Sequence, residues 1–534
     1  MQPMKPENPV DDGHHHNRKL VRSALSIAGP TLLSRLLGYG RDFLQAYFLG
    51  TGKGMDAFAL AVALPNLFRR LTAEGAMTSS FVPVFAGEKK SKSRAELLRF
   101  ADLFFYDLAL VLVVLVALGV IFAPDLVNLV AGGFRQVPGK VELTASLTRI
   151  MFPYLLLASL AALAGAVLNS FQRFFLPAST PIVLNLSVIV LALLFARRAA
   201  EPATVFAFGV VLGGLLQVAV QVPLLRKIGM RFRFGLSFSH PAVRQVGRLM
   251  APCFLGLGMY QFNFLISRFF AATLEKGSVS ALYYASRVEE LTLGIFSIAL
   301  SVALLPAFSE QAASGDLPGM KKTLVFSLKL SNFVTLPAAV GLLALSRPIV
   351  GVLFERGRFG PDSTTLSSAC LFFFALGLPF LSGVKVLAPA FFSLKDTKTP
   401  VAISTLTVLS FLGFNLVLMG PMKVEGIALA LALSQVVNFA AYFILLERKI
   451  GSVSKRDYFR SLVFSLAFSA LMGGGLRLFV GVVGFSGRGR TVQAGLLTAA
   501  IGLGIAFYFL CHFLFNRKEF RSWTGLLSRK KIEA

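Results

Sequence analysis

The sequence predicts an all-α membrane protein that crosses the bilayer many times. Of its 534 residues, 55% are hydrophobic, and its mean hydropathy of +0.71 exceeds that of soluble chains of this length. Apolar runs of about 20 residues recur from Ser23 to Phe515, and each is long enough to cross the hydrocarbon core as a helix. These runs are long and continuous, whereas a membrane β-barrel would show short alternating segments.

The apolar runs divide into fourteen predicted spans, so that both termini lie on the same side of the membrane. The first run is too long for a cleavable signal peptide, contains Arg35, Arg41 and Asp42, and is followed at once by a second run. The predicted spans are 24–49, 55–86, 96–122, 143–172, 177–196, 203–225, 242–273, 278–308, 322–346, 364–393, 399–419, 424–446, 458–481 and 491–515.

The basic residues predict the orientation of the chain. Most of the 53 Lys and Arg lie in the terminal tails and in the loops on the same side, including 89–94, 226–248 and 448–460. Because basic loops stay in the cytoplasm, we expect both termini to be cytoplasmic. The net charge of +27 is dispersed among the loops, with no soluble basic domain, so we expect no nucleic-acid partner.

An internal repeat relates the two halves of the chain at a shift of about 220 residues. Pro30 matches Pro252, residues 81–85 match 304–308, and the stretch 167–181 matches 386–400 at a shift of 219. Equivalent points are six spans apart, as in parallel repeats of alternating-access transporters. The predicted division is a cytoplasmic tail (1–22), a first lobe of six spans (23–227), a second lobe of six spans (228–448), two additional spans (449–516) and a basic cytoplasmic tail (517–534).

Arginines within the first predicted span point to an anionic ligand. Arg35 and Arg41 lie there, although a charge held at the bilayer centre costs roughly 2.5–3.5 kcal/mol. Two glycines between them weaken the helix, so that a bend could aim both guanidinium groups into one cavity. The structural alternative is that Arg41 pairs with Asp42 or Asp56.

The second span adds two arginines and an acidic residue that could pair with one of them. Arg70 and Glu74 are spaced i, i+4, which favours an ion pair on one helix face. Arg69 is therefore the better candidate for ligand contact, and Arg70 the better candidate for a structural role. Pro65 frees a backbone carbonyl within the span, and Asn66 and the two arginines supply polar contacts there.

One arginine of the second half occupies a position equivalent to the second span. Arg287 aligns with Pro65 in the repeat, so arginines of both halves would face a cavity between the lobes. Guanidinium donates two parallel hydrogen bonds, which suits phosphate, and several such groups fit a diphosphate better than a monoanion. We predict that substrate is bound by Arg35, Arg41, Arg69 and Arg287, with Ser34, Asp56, Arg70, Glu74, Glu290 and Lys385 in supporting or gating roles.

The chain contains no recognisable motif of an enzyme or a metal site. It lacks a nucleophile elbow, a phosphate-binding loop and a zinc-protease motif. Cys253, Cys370 and Cys511 each lie alone in an apolar run and are read as buried small residues. We expect a transporter with no cofactor or metal, coupled to the membrane potential or to an ion that the sequence does not identify.

The segment from Ser34 to Phe85 closely resembles the MurJ/MviN family of lipid II flippases, which belongs to the MOP superfamily. The stretches 283–287, 384–389 and 396–400 carry the same resemblance, which extends over nearly the whole chain and includes the number of spans. The family's functional arginines match Arg35, Arg41, Arg69 and Arg287, and its acidic residue of the second span matches Asp56.

The resemblance implies a flippase of the bacterial inner membrane. Its substrate would be lipid II, an undecaprenyl diphosphate bearing a disaccharide-pentapeptide, carried from the cytoplasmic to the periplasmic leaflet by alternating access. It implies a cationic cavity between the lobes and a groove for the lipid tail at the last two spans. Lipid II, membrane lipids and the peptidoglycan synthesis machinery are the implied partners.

The sequence departs from the family pattern at two places. Ser286 stands where the family often has an acidic residue, directly before Arg287, and spans 7, 10 and 11 lack a carboxylate that would indicate a sodium site. Three alternatives follow: a flippase for another polyprenyl-diphosphate glycan, a MATE-like drug or cation antiporter, and a membrane scaffold. An antiporter would need cation-binding carboxylates in its cavity, and a scaffold would tolerate replacement of the arginines.

Overall fold

A computed structural model of the chain describes residues 10–70, 77–485, 487–517 and 520. Within these residues the regular secondary structure is all helical, with no β-strand. The helices are α1 (Val10–Leu49), α2 (Lys53–Arg69), α3 (Met77–Ser91), α4 (Arg94–Ile121), α5 (Ala123–Val130), a short 3-10 helix (Gly132–Gln136), α6 (Lys140–Met151), α7 (Pro153–Ser170), α8 (Phe175–Phe195), α9 (Pro202–Ala219), α10 (Val222–Lys227), α11 (Pro241–Ala272), α12 (Ser278–Ala313), α13 (Leu317–Phe354), α14 (Pro361–Ser393), α15 (Lys398–Ile450), α16 (Lys455–Val483) and α17 (Arg490–Phe515).

The predicted all-α membrane fold is confirmed, and each predicted span falls on helix in the described residues. Span 143–172 is formed by α6 and α7, which meet at Pro153, a residue that starts a helix well because it needs no N–H partner there. Spans 399–419 and 424–446 run together in α15, which kinks at Lys423, where φ is 51°.

Nine helices of the described residues are long and apolar enough to cross a membrane, or ten if the bent pair within α12 is counted as one span. The number fourteen therefore stays a prediction.

The chain forms two compact units. The first contains residues 1–49 and 57–258, and the second contains 50–56 and 259–534. The short segment Gly50–Asp56, which follows α1 and includes the first turn of α2, thus belongs to the second unit. The predicted lobes, 23–227 and 228–448, remain a prediction from the repeat.

The core of the first unit is built around stacked phenylalanine rings. The ring of Phe81 lies 5.2 Å from that of Phe85, 5.7 Å from that of Phe100 and 5.1 Å from that of Phe104. All four side chains are buried, and Leu168 of α7 packs into the same cluster. Large rings that bury much apolar area and stack in offset geometry stabilise such a core.

The second unit has a core in equivalent positions. Leu304 and Phe308 of α12 are buried with Leu387 and Phe391 of α14, and Ile450 at the end of α15 joins them. The prediction that residues 81–85 correspond to 304–308 therefore agrees with the positions of both pairs of core residues.

The register of 219 predicted for the later stretch is wrong by one helical turn. Gln172 and Lys395, 223 positions apart, both adopt left-handed backbone conformations, with φ of 59° and 57°. In each turn the next residue, Arg173 or Asp396, donates its N–H to a carbonyl five residues earlier, which closes the helix end. The match of Pro181 with Pro400 misled the sequence alignment, because isolated prolines recur by chance among apolar helices.

Candidate functional site

In the first unit, Arg41 of α1 is held by two neighbours. Its Nη2 and Nε lie 2.7 and 3.0 Å from Asp42 Oδ1, and its Nη1 donates to Asn185 Oδ1 at 3.1 Å. Asp42 is 4% exposed, whereas the Arg41 side chain keeps 20% of its surface accessible. The structural alternative of an ion pair with Asp42 is thus present, and the guanidinium group still reaches the surface.

Asn185 of α8 links this arginine to a backbone carbonyl two turns earlier in α1. Its Nδ2 donates to the backbone carbonyl of Ser34 at 2.9 Å, while its Oδ1 accepts from Arg41. A Cβ added at Gly38 would lie 3.7 Å from Asn185 Nδ2, which is an ordinary van der Waals distance, so α1 and α8 are in contact here without requiring a glycine. The helix α1 is continuous from Val10 to Leu49, so the glycines between Arg35 and Arg41 do not interrupt it.

The other arginines of the first unit differ in how they are held. Arg35 is half-buried and makes no hydrogen bond or ion pair with the part of the chain that the structure describes. Arg69 Nε donates to Asn66 Oδ1 at 2.9 Å, one turn earlier in α2. Arg70 is half-buried at the end of that helix, and its predicted partner Glu74 lies outside the described residues.

In the second unit, Arg287 of α12 is oriented by residues of its own helix. Its Nη1 lies 2.7 Å from Glu290 Oε2, and its guanidinium carbon lies 4.8 Å from the centre of the Tyr283 ring. The predicted i, i+3 pair is therefore present, and 27% of the Arg287 side chain stays exposed. Ser286 donates its hydroxyl to the Tyr283 carbonyl at 2.8 Å, which is a contact within the helix.

Asp56 stabilises the start of the helix that carries Arg287. Its fully buried carboxylate accepts from the N–H groups of Gly277 at 2.8 Å and Ser280 at 2.9 Å, and from the Ser280 hydroxyl. Gly277 is the N-cap of α12, and its φ of 98° suits glycine. A carboxylate at a helix N-terminus satisfies unpaired N–H groups and interacts favourably with the helix dipole. Asp56 thus supports α12 structurally.

A cavity of about 70 Å³, with several polar side chains in its wall, lies between α11, α12, α14 and α15. Glu289 and Ser286 line it from α12, and Asn263, Ser267 and Arg268 line it from α11. Asn263 and Ser267 are 7% and 5% exposed, so both polar side chains are buried at the cavity wall. The intramembrane acids Glu289 and Glu290 therefore belong to different environments, although they are adjacent in sequence.

An apolar cavity of about 390 Å³ lies between α13, α16 and α17. Phe333 and Leu342 of α13, Leu476 of α16, and Ile505 and Tyr508 of α17 contribute to its walls. Its lining is almost wholly hydrocarbon, which suits an acyl or isoprenoid chain and no charged ligand.

The remaining candidates have no shared site in the described residues. Lys385 is half-buried in α14, His512 is fully buried among aromatic rings in α17, and the His240 ring stacks on Phe100 at 5.7 Å. Cys370 and Cys511 are buried and unbridged, as expected for small core residues, whereas the Cys253 side chain lies outside the described part.

The sequence reasoning missed the polar residues that position the arginines from neighbouring helices. Asn185 is the important case, because from α8 it contacts both Ser34 and Arg41 of α1. The available signal was a lone amide in the apolar span 177–196, where a polar side chain needs a partner. Asn263 and Arg268, in the polar cavity, carried a similar signal in span 242–273.

Comparison with known proteins gives a consistent result. The family model described as "Lipid II flippase MurJ" matches residues 45–485. A Vibrio cholerae protein named "Probable lipid II flippase MurJ" is 32% identical over 92% of this chain and 95% of its own length. A Rhizobium tropici protein of the same name is 35% identical over 96% of this chain and 97% of its own.

Solved structures show the same relationship. "Lipid II flippase MurJ, inward closed conformation" superposes with a TM-score of 0.77 at 25% identity, covering 92% of this chain and 99% of that one. An inward-facing MATE-family multidrug transporter of the MOP superfamily has a TM-score of 0.67 at 12% identity, covering 81% and 99%, which shows likeness of fold alone.

Proposed function

Because the chain belongs to the MurJ family of lipid II flippases, we propose that it carries lipid II from the cytoplasmic to the periplasmic leaflet of the bacterial inner membrane by alternating access. This family is one of transporters, so the chain is a transporter and no enzyme. We further infer that both termini are cytoplasmic, as the distribution of basic loops predicts.

The observation that carries the proposal is the way in which the arginines are held. Arg41, Arg69 and Arg287 each have a hydrogen-bonding side chain on their own helix, and Arg41 and Arg287 keep part of their surface accessible. An oriented guanidinium group that reaches a cavity can bind phosphate oxygens with little loss of side-chain freedom. Arg35 adds a positive charge with no carboxylate bound to it in the described residues.

We propose that these four arginines bind the diphosphate in a cavity between the two predicted lobes. The prenyl tail would occupy the apolar cavity between α13, α16 and α17, whose lining is almost wholly hydrocarbon. The headgroup would then cross inside the protein while the tail remains among apolar groups. Binding of the diphosphate would also reduce repulsion among the arginines and so favour closure around the substrate.

The membrane potential is the coupling that the chemistry favours. An anion that moves outward across a potential negative inside gains roughly 2.3 kcal/mol per charge per 100 mV. The diphosphate would therefore be driven towards the periplasmic leaflet without a resident cofactor. A coupling ion and contacts with peptidoglycan synthesis enzymes remain expectations of the same proposal.

The test is translocation of lipid II by the purified protein in vesicles. Arg35→Ala and Arg287→Ala should each slow the appearance of lipid II in the opposite leaflet by about ten-fold or more, since a charged hydrogen bond contributes roughly 1.5–3 kcal/mol. Arg477→Ala removes an exposed arginine of α16 and should leave the rate unchanged. Wild-type rates for both Arg35→Ala and Arg287→Ala would refute the assigned roles.

A further inference from the structure

The connection between α10 and α11 runs along the surface of α4. We refer to residues 229–240 as the linker. Arg94, at the start of α4, donates to the carbonyl of Ile228 at 2.9 Å, and the Tyr106 hydroxyl donates to the carbonyl of Phe232 at 2.7 Å. All of these residues belong to the first unit. The linker therefore runs alongside α4 from the first turn of this helix to its fourth.

Two aspartates of α4 hold the backbone of the linker. Asp102 accepts from the N–H groups of Phe232 at 3.1 Å and Arg233 at 3.4 Å, and Asp107 accepts from that of Ser237 at 3.0 Å. Both carboxylates are buried, with 3% and 2% exposure. Acidic residues are rare in membrane-spanning helices, so their use here calls for an explanation beyond helix formation.

The explanation is the depth that the linker reaches. A hydrocarbon core of about 30 Å corresponds to about 20 helical residues, and counting back from Ile121 places its boundary near Asp102. Asp107 then lies roughly 8 Å inside that boundary. Irregular backbone at such a depth persists only when its N–H groups have partners, because no water replaces them. The two aspartates supply those partners.

The outer face of the linker is apolar and uncovered. Phe234, Leu236 and Phe238 alternate along the extended chain and are 75%, 45% and 50% exposed. On α4 itself, residues 100–109 are covered, and exposed apolar side chains begin at Leu110. The exposed face of the linker thus continues directly into the lipid-facing surface of the helix.

We propose that the linker is an interfacial anchor. It inserts its apolar face into the lipid leaflet at the Arg94 end of α4. Phe234, Leu236 and Phe238 would lie among the acyl chains. Arg231 and Arg233, which are exposed on the same segment, would lie at the level of the phosphate headgroups. An apolar face flanked by basic residues is the arrangement with which segments bind a membrane interface.

The first experiment measures the depth of the linker in the full-length protein. Trp523, the single tryptophan, is replaced by Phe, and Phe234→Trp or Phe238→Trp is introduced before reconstitution into phosphatidylcholine vesicles. Dibrominated acyl chains should lower the emission of either variant by about two-fold, and aqueous iodide should have little effect. Two controls set the limits of quenching. Phe507→Trp in α17 gives the quenching of a lipid-exposed residue, and Ala200→Trp in the exposed connection before α9 gives that of a water-exposed residue.

The second experiment tests the role of the aspartates. Asp107→Leu removes the acceptor for Ser237, so the Phe238→Trp probe should lose most of its quenching by brominated lipid and gain quenching by iodide. Asp107→Asn keeps a carbonyl oxygen at that position and should preserve the lipid pattern. If both linker probes behave like Ala200→Trp when Asp107 is intact, the anchor is refuted, whether or not the Asp107 variants fold.

Discussion

The two halves of the chain repeat their apolar cores, whereas their charged residues are not repeated. Phe81 and Phe85 of the first core lie 223 positions before Leu304 and Phe308 of the second, and all four are buried. The turns at Gln172 and Lys395 keep the same spacing. Burial of apolar area therefore determines the helix arrangement that is common to both halves.

The arginines follow a different rule. At the same spacing, Arg41 corresponds to Phe264, and Arg287 corresponds to Leu64. Asn185, which holds Arg41 in place, corresponds to Val408. The comparison teaches that the repeat builds the scaffold, and that the arginines proposed to bind the substrate have no counterpart in the other half.

The ends of the two halves show the same contrast. Each half closes with Arg-Lys-Ile-Gly, at 226–229 and 448–451, and Gly229 and Gly451 both have positive φ, 100° and 87°. After the second, a short turn leads to α16. After the first, the linker follows α4, whose aspartates have no counterpart because α13 contains no carboxylate. The linker's course is thus specific to the first half.

The largest effect on stability is expected at Asp56, which lies in the first half of the sequence but in the second unit. Asp56→Ala leaves the buried N–H groups of Gly277 and Ser280 without an acceptor and should lower the free energy of unfolding by about 3 kcal/mol. Thermal unfolding of the detergent-solubilised protein measures this loss. Asp56→Asn keeps an acceptor at the N-cap and should lose less than half as much. Equal losses in the two variants would show that Asp56 acts by charge and not by capping.

A smaller effect is expected at Asn185, which is specific to the first half. Asn185→Ala removes the contact to Arg41 and should weaken lipid II binding roughly five-fold, the equivalent of about 1 kcal/mol. Gln217→Ala is the matched control, because Gln217 is also a buried amide that donates to a backbone carbonyl, that of Thr180. It should reduce stability while leaving affinity unchanged. If the Asn185→Ala variant and the wild type bound lipid II with equal affinity, Asn185 would have no part in substrate binding.

The apolar cavity belongs to the second unit and tests whether the tail is bound there. Gly341→Leu projects into open space at this cavity and should weaken binding of full-length lipid II about three-fold by occupying volume that the tail needs. A headgroup analogue with a short tail should bind as before. Gly413→Leu, at an exposed glycine of α15, is the control. An equal loss of affinity for the short-tailed analogue would show that Gly341→Leu does not act through binding of the tail.

The smallest effect concerns a turn in which the two halves carry opposite charges, Arg173 in the first and Asp396 in the second. Hydrogen bonds from Lys449 and Thr399 hold the pKa of Asp396 well below its ordinary value. Its stabilising effect should therefore be complete at neutral pH and should decline only as pH falls below roughly 4, towards the lowered pKa. Asp396→Asn should be less stable than the wild type at pH 7, and the difference in melting temperature should narrow in strong acid. A difference that does not depend on pH would contradict this account.

The helices could be predicted from the sequence because apolar length alone decides them. The span from 96 to 122 coincides with α4 within two residues at its start and one at its end. The pair Arg287–Glu290 was also predictable, since spacing along one helix determines which side chains meet. The likeness to MurJ was predictable from the motifs around Arg35 and Arg287.

Contacts between helices distant in sequence could not be predicted in this way. Nothing in the local sequence indicates that Asp56 caps α12, 221 positions further along, or that Asn185 reaches Arg41, 144 positions earlier. In the sequence, Asp102 and Asp107 are two polar residues in an apolar span, and nothing nearby indicates that they accept hydrogen bonds from the linker. The register of the repeat failed because α8 contains two prolines, Pro177 and Pro181, and the sequence does not show which of them matches Pro400.

The central claim is that arginines of both halves bind one diphosphate. A double-mutant cycle with Arg35→Ala and Arg287→Ala, read out as lipid II affinity of the purified protein, tests it most directly. Groups that share a ligand couple by roughly 0.5–3 kcal/mol. The account therefore predicts that the double variant loses clearly less affinity than the product of the two single losses. Losses that multiply, or an unchanged affinity in either single variant, would contradict a shared site.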